Sequence, residues 1–191
     1  MKRLVLASGS PRRRQLLESL GLNFDIIPPP AEEITQNWNT PQDYAEQLSQ
    51  YKARQIAEKV TDAVVLAADT IVVKNHEIMG KPQNPQEAQD MLQALSGAPH
   101  TVVTGICIID VSSGCELLDS ESTTVYFKKL SDEKISRYIE TGEPFDKAGA
   151  YGIQGHGALL VEKVEGCFYN VVGLPMAKLE SMLETLGINL L

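Results

Sequence analysis

The segment AVVLAADTIVV, residues 63–73, is an apolar run without the polar alternation of a half-solvated strand. A run of this kind predicts a strand that is buried on both faces. Asp69 interrupts it, and an unpaired carboxylate inside a core costs free energy. Because open α/β sheets bind ligands at the carboxyl ends of their strands, we interpret Asp69 as a metal ligand or a catalytic base. The alternative is an aspartate that accepts hydrogen bonds from turn amides at a strand end.

Start and stop signals for helices surround this strand. Good N-caps are Ser10, Thr40, Asn84 and Ser131, and helix stops are Gly97, Gly142 and Gly187. The second half of the chain is richer in strands, with one pair around residues 112–114 and a hairpin turning at Glu165-Gly166. A final helix is expected over residues 175–186. This order predicts an α/β fold with a mixed sheet flanked by helices, in a single domain over residues 1–191.

The composition argues against several classes of protein. A net charge of −8 and a pI near 4.9 oppose binding to DNA, RNA or anionic membranes. Aromatic residues make up 6% of the chain, too few for platforms that stack nucleic-acid bases. The 3 cysteines are widely spaced without a Cys-x-x-Cys pair, which indicates reduced thiols rather than disulfides or a zinc site. The N-terminal apolar run is too short for a signal peptide or a membrane span, so we expect a cytoplasmic protein.

A turn rich in arginine follows the first expected strand. Pro11 suits the first position of a helix, but Arg12, Arg13 and Arg14 crowd its first turn, where the helix dipole disfavours positive charge. A strand, a Ser/Gly loop and a helix N-terminus together form an anion site, and forked guanidinium donors match phosphate oxygens. The alternative is a set of solvated arginines that pair with acidic neighbours. The turn is not a P-loop, because the chain lacks the G-x-x-x-x-G-K-[ST] pattern.

Lys52 lies on the apolar stripe of its expected helix, between Leu48 and Ile56. Its ammonium can reach past the apolar surface to water, which is the common arrangement. Alternatively, it faces an anionic ligand in a groove.

The segment DKAGAYGIQGHG, residues 146–157, contains too many glycines for a regular helix or strand, and glycine allows a ligand to approach the backbone closely. Its spacing is not G-x-G-x-x-G, so a dinucleotide fold is only weakly supported. Gln154 offers both a donor and an acceptor to the edge of a base. A purely structural glycine loop is the alternative.

Two further groups of residues bear on a metal. The 3 histidines lack partners at ligand spacing, which argues against a histidine metal site and against a Ser-His-Asp triad. Glu32 and Glu33 follow a stiff PPPA segment, and a second carboxylate is what a divalent cation next to Asp69 would need.

Six short motifs occur in order: LASGSPRRRQLL at 6–17, EE at 32–33, YKA at 51–53, AADT at 67–70, GKP at 80–82 and DKAGAYGIQG at 146–155. Together they resemble the Maf family of nucleoside triphosphate pyrophosphatases. The resemblance implies an α/β fold similar to the inosine triphosphate pyrophosphatases, with a long mixed sheet and a cleft between two lobes. It also implies metal-dependent hydrolysis of a nucleoside triphosphate to the monophosphate and pyrophosphate, and a homodimer. AADT and DKAGAYGIQG are similar to the branch that acts on dTTP and UTP.

The resemblance also assigns roles to residues. It implies that Arg12, Thr70 and Gln154 govern the choice of base and that Asp69 is the acidic residue required for catalysis. We further assign Asp146 and Lys147 to substrate binding.

The triphosphate and the metal complete the expected site. Glu33 and Asp69 would bind Mg²⁺ or Mn²⁺, with Glu32 as the alternative to Glu33, and a water activated by Asp69 or the metal would attack the α-phosphorus. The groups expected to hold or neutralise the triphosphate are Ser8, Ser10, Arg12, Arg13, Lys52 and Lys81.

Three other functions are alternatives to the release of pyrophosphate from a nucleoside triphosphate. A nucleotide-binding regulator of cell division would share the pocket but would not need an acid at the α-phosphate. A small-molecule phosphatase would release orthophosphate instead of pyrophosphate. A nucleic-acid-binding module is disfavoured by the negative charge.

Overall fold

A computed structural model describes residues 2–30 and 38–191 of the protein. The described residues form a 7-stranded sheet in the order β2-β1-β3-β5-β6-β7, with β4 paired to β3. The strands are β1 (Arg3–Leu6), β2 (Asp25–Ile26), β3 (Ala63–Lys74), β4 (Glu77–Met79), β5 (Pro99–Asp110), β6 (Cys115–Phe127) and β7 (Val161–Glu165). Strand β1 pairs in parallel with β2 and β3, whereas β3–β4 and β6–β7 are antiparallel. The sheet is therefore mixed, as the sequence predicts.

Helices accompany the strands along the chain. They are α1 (Pro11–Ser19), α2 (Pro41–Ala57), α3 (Pro85–Leu95), α4 (Asp132–Glu140), α5 (Phe168–Val172) and α6 (Met176–Thr185). Short 3₁₀ turns cover Glu143–Asp146, Ala148–Ala150 and Gly155–Leu159. None of the helices in the described part of the chain is long and apolar enough to cross a membrane.

Three of the expected N-caps are confirmed. The side chains of Thr40, Asn84 and Ser131 accept hydrogen bonds from backbone N–H groups in the first turns of α2, α3 and α4. Ser10 occupies the N-cap position of α1, but its side chain makes no capping bond, and its own N–H donates to Ser8 Oγ at 3.2 Å. The start of α1 is therefore organised by the loop before it.

The expected hairpin at Glu165-Gly166 is wrong. Strand β7 ends at Glu165, and α5 follows where the second strand was expected. Asn170 in α5 is buried and donates through Nδ2 to the Val102 carbonyl at 3.0 Å and to Thr123 Oγ1 at 2.9 Å. These bonds to distant residues stabilise a helical turn that the local pattern does not predict.

The chain divides into two compact units, each with its own buried cluster. The first unit comprises residues 1–69, 104–121 and 173–191, and its core includes Val5, Ile56, Val65 and Cys107. The second comprises residues 70–103 and 122–172, and its core includes Leu92, Phe127, Ile135, Tyr138 and Tyr151.

Candidate functional site

The loop between β1 and α1 is held at a defined position in the first unit. Ala7 extends the pairing of β1 with β3, because its N–H donates to the Leu66 carbonyl at 2.8 Å. Ser8 is buried, and its Oγ accepts the Ser10 N–H at 3.2 Å. The loop thus brings a serine hydroxyl close to the backbone N–H groups at the start of a helix, and donors of this kind bind anions.

Arg13 turns back onto this loop from α1. Its Nε donates to the Gly173 carbonyl at 2.8 Å, and its Nη1 donates to Ser8 Oγ at 3.2 Å. Burial, aided by the charge of Arg12, lowers the pKa of Arg13, while the Asp69 charge acts to raise it. The guanidinium keeps its positive charge, because an arginine side chain is not deprotonated in proteins. Arg13 therefore places a fixed positive charge next to the loop.

The other arginines of the turn differ from Arg13. Arg14 is exposed and pairs with Glu18 one turn later, at 2.7 Å, which matches the solvated alternative. Arg12 is half-buried. The structure thus separates Arg13, which donates to the loop and to Gly173, from Arg14, which pairs with Glu18 within its own helix.

Lys52 and Asp69 form an ion pair within the first unit. The Lys52 ammonium on α2 donates to Asp69 Oδ1 on β3, and the side chains are 29% and 17% exposed. Lys52 therefore points to a carboxylate rather than along the surface to water. Residues 63–68 of β3 are buried, and Asp69 is the first residue beyond them that solvent reaches. Asp69 thus lies where the buried run of β3 ends. Lys52 is its ion-pair partner, and the charge of Asp69 also interacts with that of Arg13.

A divalent cation fits part of this arrangement. Across residues 2–30 and 38–191, no group of three or more His, Cys, Asp or Glu side chains could hold a metal ion. Mg²⁺ usually needs no such cage, since one or two carboxylates and the phosphates of its substrate suffice. Asp69 supplies one partly exposed carboxylate of this kind. Glu32 and Glu33 lie outside the described residues.

The remaining candidates belong to the second unit. Thr70 follows Asp69 in β3 and is half-buried, and Lys81 is exposed. The Gly149 N–H donates to the Gly80 carbonyl at 2.9 Å. This bond connects the segment before Lys81 to residues 146–157, the glycine-rich loop.

Lys147 and Asp146 are held together at the start of that loop. The Lys147 ammonium pairs with Asp146 Oδ1 at 2.6 Å and donates to the Glu143 carbonyl at 2.6 Å. Gln154 is exposed further along the loop.

The sequence motifs do not indicate two groups that contact the candidate residues or their loop, the Gly173 carbonyl and the Glu143 carboxylate. The Gly173 carbonyl that receives Arg13 is a backbone atom, so no residue type could have identified it. Glu143 accepts hydrogen bonds from the loop that carries Gln154. Its place directly before Pro144 and the DKAG segment was the available signal.

Comparison with known proteins decides the family. Residues 3–186 match the family described as Maf-like protein. The chain belongs to the Maf family. This Maf chain is 53% identical to the dTTP/UTP pyrophosphatase of Caldicellulosiruptor saccharolyticus, over 100% of the chain and 98% of that protein. It is 51% identical to the dTTP/UTP pyrophosphatase of Alkaliphilus metalliredigens, over 96% of each.

A solved structure confirms the predicted fold class. The Staphylococcus aureus Ham1 protein matches this Maf chain with a TM-score of 0.58, over 96% of the chain and 99% of that protein. The sequences are 14% identical, so this likeness concerns the fold alone.

Proposed function

We propose that this Maf protein hydrolyses dTTP and UTP to the nucleoside monophosphate and pyrophosphate. Two Maf relatives that are 53% and 51% identical to the chain, nearly end to end, carry that activity in their names. The observation that carries the proposal in the structure is the grouping of Arg13, Lys52 and Asp69 in one unit, with Lys52 bonded to Asp69. Fixed cations beside a partly exposed carboxylate suit a reaction in which charge builds up on a polyphosphate leaving group.

In this proposal the β1–α1 loop binds phosphate oxygens. Ser8 and Ser10, the first N–H groups of α1, and the guanidinium groups of Arg12 and Arg13 donate to them. Lys52 and Lys81 neutralise further negative charge. The positive charge in the first turn of α1, unfavourable in the protein alone, then becomes favourable when the anion is bound.

Asp69 is the proton acceptor. Lys52 donates to Oδ1, so we assign Oδ2 to take a proton from the attacking water. The water oxygen forms a bond to the α-phosphorus as the bond from that phosphorus to the bridging oxygen breaks, and pyrophosphate leaves. Asp69 and Glu33 would hold Mg²⁺ or Mn²⁺, which supplies charge neutralisation on the phosphate oxygens.

Base selection is assigned to Arg12, Thr70 and Gln154, and further substrate contacts to Asp146 and Lys147. Gln154 has the donor and acceptor that the edge of a pyrimidine requires, and it is exposed. We also propose that the protein acts in the cytoplasm on free nucleotides, as a homodimer, without binding nucleic acid polymers or membranes.

The first test is replacement of the proposed proton acceptor. The Asp69→Asn variant keeps the side-chain volume but loses the basic oxygen, so we expect pyrophosphate release from dTTP and UTP to fall by about 10²–10⁴-fold. Thermal unfolding should show a folded variant. Asp90→Asn, at an exposed position on α3, is the matched control and should retain full activity.

The same assay separates the alternatives. Near-normal hydrolysis by Asp69→Asn would remove Asp69 from the mechanism. Release of orthophosphate by the wild type would indicate a phosphatase. Binding of dTTP without any product would indicate the nucleotide-binding regulator.

A further inference from the structure

Glu143 lies three residues beyond the end of α4, and hydrogen bonds connect its backbone to the last turn of that helix. The Glu143 N–H donates to Thr141 Oγ1 at 3.2 Å, and the Thr141 hydroxyl donates to the Tyr138 carbonyl at 2.6 Å. The position of Glu143 therefore follows that of α4, whose Ile135 and Tyr138 belong to the core of the second unit.

The carboxylate of Glu143 holds the backbone of the glycine-rich loop. Oε1 accepts the His156 N–H at 2.9 Å and lies 2.8 Å from His156 Nδ1, while Oε2 accepts the Gly157 N–H at 3.2 Å. Burial acts to raise the pKa of Glu143, but the hydrogen bonds from His156 and Gly157 outweigh it and lower that pKa. Hydrogen bonds to a charged acceptor are the stronger kind, so the carboxylate is a firm anchor.

The loop fits closely around this anchor. Gly155 has a φ of +66°, and a Cβ there would lie 2.5 Å from Glu143 Oε1. A Cβ at Gly157 would lie 2.0 Å from the Gly152 carbonyl oxygen and 2.9 Å from the Tyr138 hydroxyl. The Gly152 N–H donates to that same hydroxyl at 3.3 Å. The chain from 152 to 157 is thus fixed at both ends, and Gln154 lies between the fixed points.

The main chain of Glu143 also holds Lys147. The Lys147 ammonium donates to the Glu143 carbonyl oxygen at 2.6 Å, and its aliphatic stem lies against Gly152, where a Cβ would meet Lys147 Cε at 2.7 Å. One residue therefore restrains two candidate substrate contacts, Lys147 through its carbonyl and Gln154 through its carboxylate.

We propose that Glu143 is a positioning residue that sets the orientation of Gln154 and Lys147 toward the nucleotide, and so determines base selectivity. The proposal rests on the proposed function. Ile153 and Gly157 are buried, whereas Gln154 and His156 are exposed, so the hydrogen bonds to Glu143 fix a segment that presents the Gln154 side chain to solvent. They restrict the backbone just after Gln154, and a restricted backbone limits the positions from which the exposed amide can reach a base edge.

The test variant is Glu143→Gln, which has nearly the same volume. Its amide nitrogen cannot accept the Gly157 N–H, so the loop loses a charge-assisted acceptor. We expect selectivity, the ratio of kcat/KM for dTTP to that for dATP, to fall about tenfold, with a raised KM for dTTP and kcat changed less than about threefold. Glu140→Gln removes the same charge from the exposed end of α4 and should leave the ratio unchanged.

A double-mutant cycle with Gln154→Ala separates positioning from general stability. If Glu143 acts through Gln154, adding Glu143→Gln to Gln154→Ala should lower the ratio less than about twofold further. A purely structural role would lower the melting temperature and kcat for both nucleotides and leave their ratio unchanged. That result would overturn the proposal.

A second variant and a binding measurement cover the cases in which Glu143→Gln does not fold or the wild type is inactive. If Glu143→Gln does not fold, Glu143→Asp takes its place, because it keeps the charge but shortens the side chain by one methylene. Glu143→Asp should show the same fall in selectivity. If neither variant folds, Glu143 is structural and the proposal is wrong. If the wild type binds dTTP but releases no pyrophosphate, the proposed function fails, and the ratio of Kd values from calorimetry then decides the role of Glu143. If it binds neither nucleotide, both fail.

Discussion

At the scale of single residues, Arg13 and Arg14 show how neighbours of the same type acquire different roles. Arg13 donates to the Gly173 carbonyl and to Ser8, whereas Arg14 pairs with Glu18 on the exposed side of the same helix. The planar guanidinium reaches two acceptors at once, which a lysine ammonium on a flexible stem does not reproduce. The arginines of this turn therefore do not form a uniform patch of exposed cations.

Replacement of Arg13 by lysine should therefore weaken catalysis. Arg13→Lys keeps the charge but loses the planar, forked donors. Loss of one charge-assisted hydrogen bond, about 1.5–3 kcal/mol, should lower kcat/KM for dTTP by about 10–150-fold. The matched control is Arg14→Lys, because an exposed i,i+4 pair contributes only about 0.3–0.5 kcal/mol. Equal activity of the two variants in a pyrophosphate-release assay would contradict this role for Arg13.

At the scale of elements, the packing of α2 on β5 positions Lys52. Gly105 in β5 touches the backbone of α2, since a Cβ at Gly105 would lie 2.2 Å from the Ala45 carbonyl oxygen. Ala45 and Lys52 belong to the same helix, so the close approach at Gly105 also sets the distance from Lys52 to β3. A glycine far from the site in sequence is therefore part of what brings Lys52 to Asp69.

Gly105→Ala should consequently destabilise the protein and reduce its activity. A methyl group against backbone atoms forces α2 outward, which we expect to lower the free energy of unfolding by about 1–3 kcal/mol. Gly80→Ala places the same methyl group in open space and should change the stability by no more than about 1 kcal/mol, in the stabilising direction. Chemical denaturation of both variants measures the difference, and equal stabilities would show that α2 adjusts freely.

At the scale of the whole molecule, the second unit contains a buried histidine that couples folding to pH. His100 Nε2 lies 2.6 Å from the Tyr151 hydroxyl, and its ring packs edge-on against Phe127 and Tyr151. Burial, with a contribution from the charge of Lys74, lowers the pKa of His100 to about 4. The folded protein therefore holds this imidazole neutral at a pH where the unfolded chain would protonate it.

This shift predicts an acid-sensitive stability. Between the unfolded pKa of about 6.5 and the folded value, the unfolded state binds the additional proton, so the free energy of unfolding should fall by up to about 1.4 kcal/mol per pH unit as the pH decreases. His100→Gln retains a polar partner for Tyr151 and cannot titrate, so its stability should decrease less over the same range. Urea denaturation at several pH values compares the two proteins, and parallel curves would contradict the assignment to His100.

The amino-acid sequence predicts those features of the protein that depend on residues close together in the chain. The N-caps at Thr40, Asn84 and Ser131 and the buried strand around Asp69 follow from contacts or periodicity within a few residues, and the family motifs identify the fold class and the nucleotide activity of its relatives. The partners of the charged groups, by contrast, become visible only in the folded chain. Arg13 meets Gly173 across 160 positions of the chain, Lys52 meets Asp69 between different elements, and α5 replaces an expected strand. Such contacts depend on how the elements pack, and the free energy that selects them is absent from any local pattern.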